Sequence, residues 1–238
     1  MAKTIKPNPT ALALVKKMET LEEMLDILNE YGNPDGDYIV GTKIQVDNKM
    51  QSGYEYELVE PVGKNFAADF KPHFTPLQML REGVFGGKYC NDTILEYPKS
   101  WFIDGRFSPE GNNSLMNRFR GDSRTTVTNW IKEGWVNTKH DLRGWFEWYM
   151  RYYLGRRIEE PFNPDNPDAT EGQSYDRYQI NRWKSFARHY GQVKANCDAN
   201  DMECRANQRQ ALLQWSWPAY GTSKKWVDFS PPEKQKNK

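Results

Sequence analysis

The segment Asp141–Arg157, DLRGWFEWYMRYYLGRR, places six aromatic rings within the nine residues Trp145–Tyr153. Wound as a helix, it sets Trp145, Trp148 and Tyr152 on one face and Phe146, Tyr149 and Tyr153 on another. A helix with apolar surface on nearly all sides has to sit in the middle of a fold, so the rest of the chain must wrap around it. Asp141 is in position to cap its N-terminus, which predicts a helix over 141–155. Arg143, Glu147 and Arg151 follow one another at steps of four and can form a short ion-pair ladder. Two uses of the arginines stay open. They are the snorkelled stems of a core helix, or Arg143, Arg151, Arg156 and Arg157 converge on an anion that a planar guanidinium grips in two places.

A central aromatic helix answers a difficulty in the composition. Only 37% of the 238 residues are hydrophobic and the mean hydropathy is −0.91, yet aromatics make up 14%. Each buried ring removes about 150–250 Å² from water, so a real core is expected. No stretch approaches the length of a membrane helix, and the short apolar run near the N-terminus does not read as a signal peptide. The chain is expected to be soluble and cytoplasmic. Three cysteines without framework spacing, Cys90, Cys197 and Cys204, point to a reducing compartment. Cys197 and Cys204, seven apart, can be neighbours on a helix face, and free thiols are the expectation. The net charge of +1 is uneven: residues 1–60 hold six Lys/Arg against eleven Asp/Glu, leaving the remainder net positive. Such a body is compatible with a polyanion and equally with an ordinary solvated surface.

The fold class expected is mainly α with some β: a compact helical domain with a small N-terminal β-hairpin. Residues 1–73 form the N-terminal helix and hairpin, 74–220 the Trp- and Arg-rich core, and 221–238 a disordered tail. Leu12, Val15, Leu21, Leu25 and Leu28 predict one amphipathic helix over 9–31. Alternation predicts strands at 37–47 and 53–60, with Val40, Ile44 and Val46 facing Tyr54, Tyr56 and Leu58. Thr75-Pro76 starts a helix over 76–82 that ends at Gly83. Further helices are predicted at 125–133, 175–196 and 201–215, and a Pro- and Asp-rich surface loop at 158–176.

Chemistry is sought first in the basic, aromatic pair of segments 141–157 and 177–197, which together hold nine Lys/Arg against two Asp/Glu. Cations interleaved with rings suit nucleic acid, by phosphate neutralisation and base stacking. Arg143, Arg151, Arg156, Arg157, Arg182, Lys184 and Arg188 are the candidate anion contacts, and Trp145, Trp148, Tyr149 and Trp183 the candidate stacking platforms. Asp92, Asp104 and Asp141 are the candidate catalytic acids, because an aromatic pocket raises a carboxylate pKa. SRTTVTNWIKEGW (123–135) has a weak helix-turn-helix tone. Gly86-Gly87-Lys88 lacks the spacing of a phosphate loop, and Cys90 beside Asp92 has no histidine near it in sequence. The histidines and cysteines show no metal-ligand spacing, so no metal is expected.

The motifs FGGKY (85–89), PKSWF (98–102), Trp130 with Gly134-Trp135, RGWFEWY (143–149), RYYLGRR (151–157) and QI with RW (179–183) resemble a family of uncharacterised proteins of plants, fungi, algae and DNA viruses, phages included. The resemblance covers roughly residues 74–217. That family has no established activity, so it implies no catalytic residue and no cofactor. The 158–176 insertion and the first 60 residues lie outside its pattern.

Three functions remain in view. The first is a nucleic-acid-binding protein, DNA or RNA, in a DNA-modification or processing setting. The second is an enzyme on a nucleotide-like or phosphorylated small molecule. The third is a structural or interaction protein, which a filled core with every arginine internally paired would favour.

Overall fold

The computed structural model describes residues 3–121, 127–132, 136, 139–163, 172–222 and 224–229. The fold is mainly α with two small sheets. Strand β1 (Thr4–Ile5) runs parallel to β2 (Lys43–Asp47), which pairs antiparallel with β3 (Ser52–Glu57). Ile44 faces Tyr56 and Val46 faces Tyr54 across the hairpin, as alternation predicts. Val40 lies outside the strands and is exposed. The turn is held by Asn48, whose side chain accepts from the amides of Met50 and Gln51.

The single helix expected over 9–31 is two, α1 (Pro9–Lys17) and α2 (Leu21–Tyr31). Thr20 breaks it. Its hydroxyl accepts from the Glu23 amide while Glu23 reaches back to the Thr20 amide, and that reciprocal cap requires extended backbone at Thr20. The helix α3 (Pro76–Glu82) starts as expected, capped by Thr75 with Pro76 in its first turn. A one-turn α4 (Ser100–Ile103) and a short α5 (Val127–Lys132) follow. Apart from α5, most of 123–135 lies outside the described residues, so the helix-turn-helix reading falls there.

The central helix α6 spans Trp145–Leu154, and it starts later than expected. Asp141 does not cap it. The Gly144 amide donates to the Asp141 carbonyl in a tight turn, Gly144 adopts φ +81, and the Asp141 side chain points inward. Every α6 residue except Tyr153 is buried. Phe70 packs its ring against Trp148, Tyr149, Tyr152 and Trp183 at 5.0–5.7 Å, so one core runs across the junction between 1–73 and 74–220. Gly155 closes α6 at φ +117, where a Cβ would stand 1.9 Å from the Glu60 carbonyl oxygen. Only glycine lets the strand exit at Val59–Glu60 donate both amides to the Gly155 carbonyl.

The segment 158–176 is not simply a surface loop. Its two ends pair as β4 (Pro161–Phe162) and β5 (Gln173–Ser174), and Phe162 is buried against Tyr175 and Tyr178. The helix expected over 175–196 bends at Phe186 into α7 (Tyr175–Ser185) and α8 (Ala187–Asn196). The last helix, α9, is shorter than expected, Ala206–Gln214, preceded by Arg205 at φ +53. Two further expectations are corrected. Cys197 and Cys204 are joined in a disulfide, which sequence spacing could not distinguish from two free thiols. Residues 224–229 of the expected disordered tail are docked on the body, because Trp226 and Phe229 find aromatic partners there.

Among the described residues no helix is long and apolar enough to cross a membrane.

Candidate functional site

The chemistry of the chain concentrates where α6 meets the hairpin and the segment 90–97. Arg151 is fully buried and uses all its donors on this chain. Nε donates to Glu96 at 2.6 Å and Nη2 to the other Glu96 oxygen at 3.1 Å, a two-pronged pair. Nη2 also donates to the Gln51 side chain, and Nη1 to the His140 carbonyl and to Asp141. Arg156 forks onto Asp141 at 2.9 and 2.6 Å and donates to the Tyr54 hydroxyl. Arg143 donates to Asp92 at 2.7 Å, to Glu147 and to the side-chain oxygen Oδ1 of Asn48. The expected ladder Arg143–Glu147–Arg151 forms, with links of 3.2 and 3.5 Å, although Arg143 stands before the helix begins. Tyr54 and Tyr56 lay their rings over the Arg151 guanidinium at 5.3 and 5.5 Å.

This network holds three guanidinium groups and four carboxylates, those of Asp92, Glu96, Asp141 and Glu147. Burial acts to raise the Asp141 carboxyl, but the Arg156 and Arg151 charges outweigh it and hold Asp141 below its usual range. At Glu147 burial wins over Arg151 and Arg143, and its pKa is raised. The excess negative charge is thereby relieved at Glu147. Burial lowers the pKa of His140. Its Nδ1 meets the Tyr54 hydroxyl at 3.1 Å and its Nε2 the Glu160 carboxylate at 3.3 Å.

The other expected site residues do not gather here. Asp104 is exposed and paired with Arg81 at 2.6 Å, whereas Asp141 is fully buried and Asp92 stands at the rim of the network, so the three acids form no common pocket. Arg157 lies over the Tyr152 ring at 3.8 Å and donates to the carbonyls of Tyr152, Arg156, Lys64 and Asn65. Arg182 is half-buried over Tyr178 and Trp215. Lys184 is buried against Asp69, which also takes Arg177. Arg188 is exposed.

The four rings expected to stack bases are all buried, and they stack on rings of this chain. Trp145 lies against Tyr149 and Trp215, Trp148 against Tyr152, and Trp183 against Trp217 at 4.9 Å. The four rings, Arg143, Arg151, Arg156 and Lys184 do not form the open binding face expected of them, because the fold buries them in its own interior, while Arg188 stays exposed.

The glycine loop is also turned inward. Gly86 and Gly87 have φ of +61 and +71, and their carbonyls accept from the amides of Asn113 and Ser108 while the Gly86 amide donates to Asn117. A Cβ on Gly86 would stand 1.9 Å from the Asn112 side chain, so the glycines serve close packing against the segment 106–117. The Cys90 thiol is sealed beside Met150, and burial pushes its pKa up, which disfavours the thiolate.

Sequence reasoning missed Glu96, Gln51, Asn48 and Tyr54. One signal was present: Glu96 interrupts the apolar run Ile94–Tyr97, and a carboxylate in such a run requires a buried partner. It also missed Asp176, which is buried, accepts from the Trp148 indole at 2.8 Å and the Ile158 amide at 2.8 Å, and is pushed up by burial to about 6. Its folded pKa lies above the unfolded value of roughly 4, so the folded state binds more protons in that interval and this contribution is lost as pH rises. Asp176→Asn is expected to gain on the parent protein by up to about 3 kcal/mol as pH rises from about 4 to about 6. Urea midpoints of both proteins across that range measure it, and a constant difference would place the ionised Asp176 in a better-solvated setting.

A cleft of about 460 Å³ opens between the start of α1 and the hairpin, bordered by Lys6, Pro9, Leu12, Asp47, Ser52 and Tyr54. None of the expected site residues lines it. Among the described residues no group of three or more His, Cys, Asp or Glu is placed to hold a metal. Comparison with protein-family models, with curated proteins and with solved structures returns no match.

Proposed function

We propose that the protein is a structural or interaction protein, a rigid body that acts through its surface and not through its arginine and tryptophan clusters. The observation that carries this reading is the fate of the seven basic residues a nucleic-acid surface would need. Of these only Arg188 is exposed, while Arg143, Arg151, Arg156 and Lys184 are buried and paired with carboxylates. Buried ion networks of this kind are costly to desolvate and are retained in some folds for the specificity they confer on packing. An enzyme reading would need an acid facing a cleft. Asp104 is spread onto the surface and Asp141 is locked between two arginines, so neither is placed to exchange a proton with a substrate.

The test is an electrophoretic mobility shift with single- and double-stranded DNA and RNA, begun at low salt and repeated as salt is raised. No retarded species is expected at micromolar protein. A shift that weakens linearly with the logarithm of salt concentration, and that Arg188→Ala diminishes, would overturn the reading in favour of a nucleic-acid partner.

A further inference from the structure

We propose that the C-terminal segment Lys224–Phe229 is a strap that covers an aromatic groove, and that the Cys197–Cys204 disulfide is the redox-sensitive clasp holding it shut. The clasp joins the end of α8 to the loop that leads into α9. Both cysteines are half-buried at that loop and not sealed in the core.

The closed loop presents its carbonyls inward to one guanidinium. Arg209 donates to the carbonyls of Cys204, Ala199 and Asp198, and also to that of Ala219; among the described residues no carboxylate accepts from it, and the Asp201 and Asp198 charges act on it only from a distance. A cage of neutral carbonyls holds a buried cation only while its geometry persists, because each is a single dipole and not a countercharge. The disulfide supplies that persistence by limiting the conformations open to residues 197–204.

The strap is built on this cage. Trp226 lies over the Arg209 guanidinium at 4.8 Å, and its indole donates at 3.2 Å to the backbone carbonyl of Cys197, a clasp residue. The Gly221 amide donates to the Ala199 carbonyl, and Thr222 and Lys225 exchange hydrogen bonds in a tight turn. A Cβ on Gly221 would stand 1.7 Å from the Lys225 carbonyl oxygen and 2.5 Å from the Ala199 side chain, so the turn is fitted to the loop at van der Waals distance. Beyond the turn the strap closes over rings. Phe229 packs edge-on against Trp217 at 4.9 Å and lies near Tyr190 and His73, and the Tyr190 hydroxyl donates to the Val227 carbonyl. Trp217 and Tyr190, the groove floor, are buried, with Phe229 of the strap packed on both and Trp183 of α7 stacked on Trp217.

The chemistry of release is thiol–disulfide exchange with a dithiol reductant. One of its thiolates attacks a clasp sulfur, forming a mixed disulfide and expelling the other cysteine as thiolate. The second reductant thiol then displaces the first cysteine. Two electrons and two protons pass to the cysteine pair, and the reductant leaves as its own disulfide. With the loop free, the Arg209 cage loses its order, Trp226 loses both its cation and its acceptor, and the groove opens.

Hydrogen exchange followed by mass spectrometry on the full chain tests this, oxidised and after dithiothreitol, together with Cys197→Ser/Cys204→Ser and, with the clasp intact, Trp226→Ala. Reduction and the double serine variant are expected to speed exchange across 219–229 by about tenfold or more while α6 stays protected, as for a unit that opens locally. Trp226→Ala is expected to release 227–229 without reductant, and an apolar fluorescent dye is expected to bind more strongly in all three states. Unchanged exchange at 219–229 after reduction overturns the proposal. So does loss of protection in α6 in step with the strap, which would make the disulfide a staple of the whole fold.

Discussion

Arg151→Met is expected to destabilise the protein by about 3–5 kcal/mol, the usual consequence of removing one partner from a buried ion network. The loss does not come from the aliphatic stem, which methionine largely replaces. It comes from stranding Glu96, which has its two-pronged partner in Arg151, and from depriving Asp141, Gln51 and the His140 carbonyl of a donor. Glu147, whose carboxyl burial already holds above its usual range, loses the opposing Arg151 charge and is raised further, so the deficit is expected to be smaller near pH 5 than near pH 8. Pairing the change with Glu96→Leu removes the stranded charge together with its partner and is expected to recover part of the loss, since Arg156 still holds Asp141. Urea denaturation of the three proteins at both pH values decides the matter. A loss of under about 1 kcal/mol for Arg151→Met would mean that water reaches the network and that its charges are not structural.

The second large effect concerns a ring that the sequence offers as a platform for bases. Trp183→Ala is expected to cost about 3–5 kcal/mol, the range for emptying a fully packed aromatic site. Trp183 is wholly buried, stacks on Trp217 at 4.9 Å and meets the edge of Phe70 at 5.0 Å. The Trp217 indole donates to the Trp183 backbone carbonyl, a bond the substitution leaves in place, so the deficit reports packing. Thermal or chemical unfolding measures it. A ring that stacked on bases would be partly exposed, and its removal would weaken binding while costing little stability. A stable Trp183→Ala protein would therefore count against a closed interior around this ring.

Much of the architecture is legible along the chain. The Thr75 cap and Pro76 locate α3, alternation sets Ile44 against Tyr56 and Val46 against Tyr54, and the four-residue spacing of Arg143, Glu147 and Arg151 foretells real contacts. These are short-range consequences of backbone period. The breaks were harder to read, because Thr20 ends one helix and starts another through a cap that competes with an unbroken apolar stripe. The pairing at the two ends of 158–176 was hidden in a similar way, because turn-forming residues masked it.

The candidate site divides along the same line. Residue type and spacing alone determined that this chain has a central aromatic helix flanked by guanidinium groups, since no other arrangement buries rings on so many sides. Whether those groups look outward or inward depended on Glu96 and Gln51, 55 and 100 residues from Arg151 in sequence, and on Tyr54, 102 residues from Arg156. A cation's preference for water or for a buried carboxylate is decided by what the rest of the chain brings within hydrogen-bonding distance, and no local pattern contains that information. The same holds for the cage of carbonyls around Arg209, whose acceptors are backbone atoms that any residue could supply.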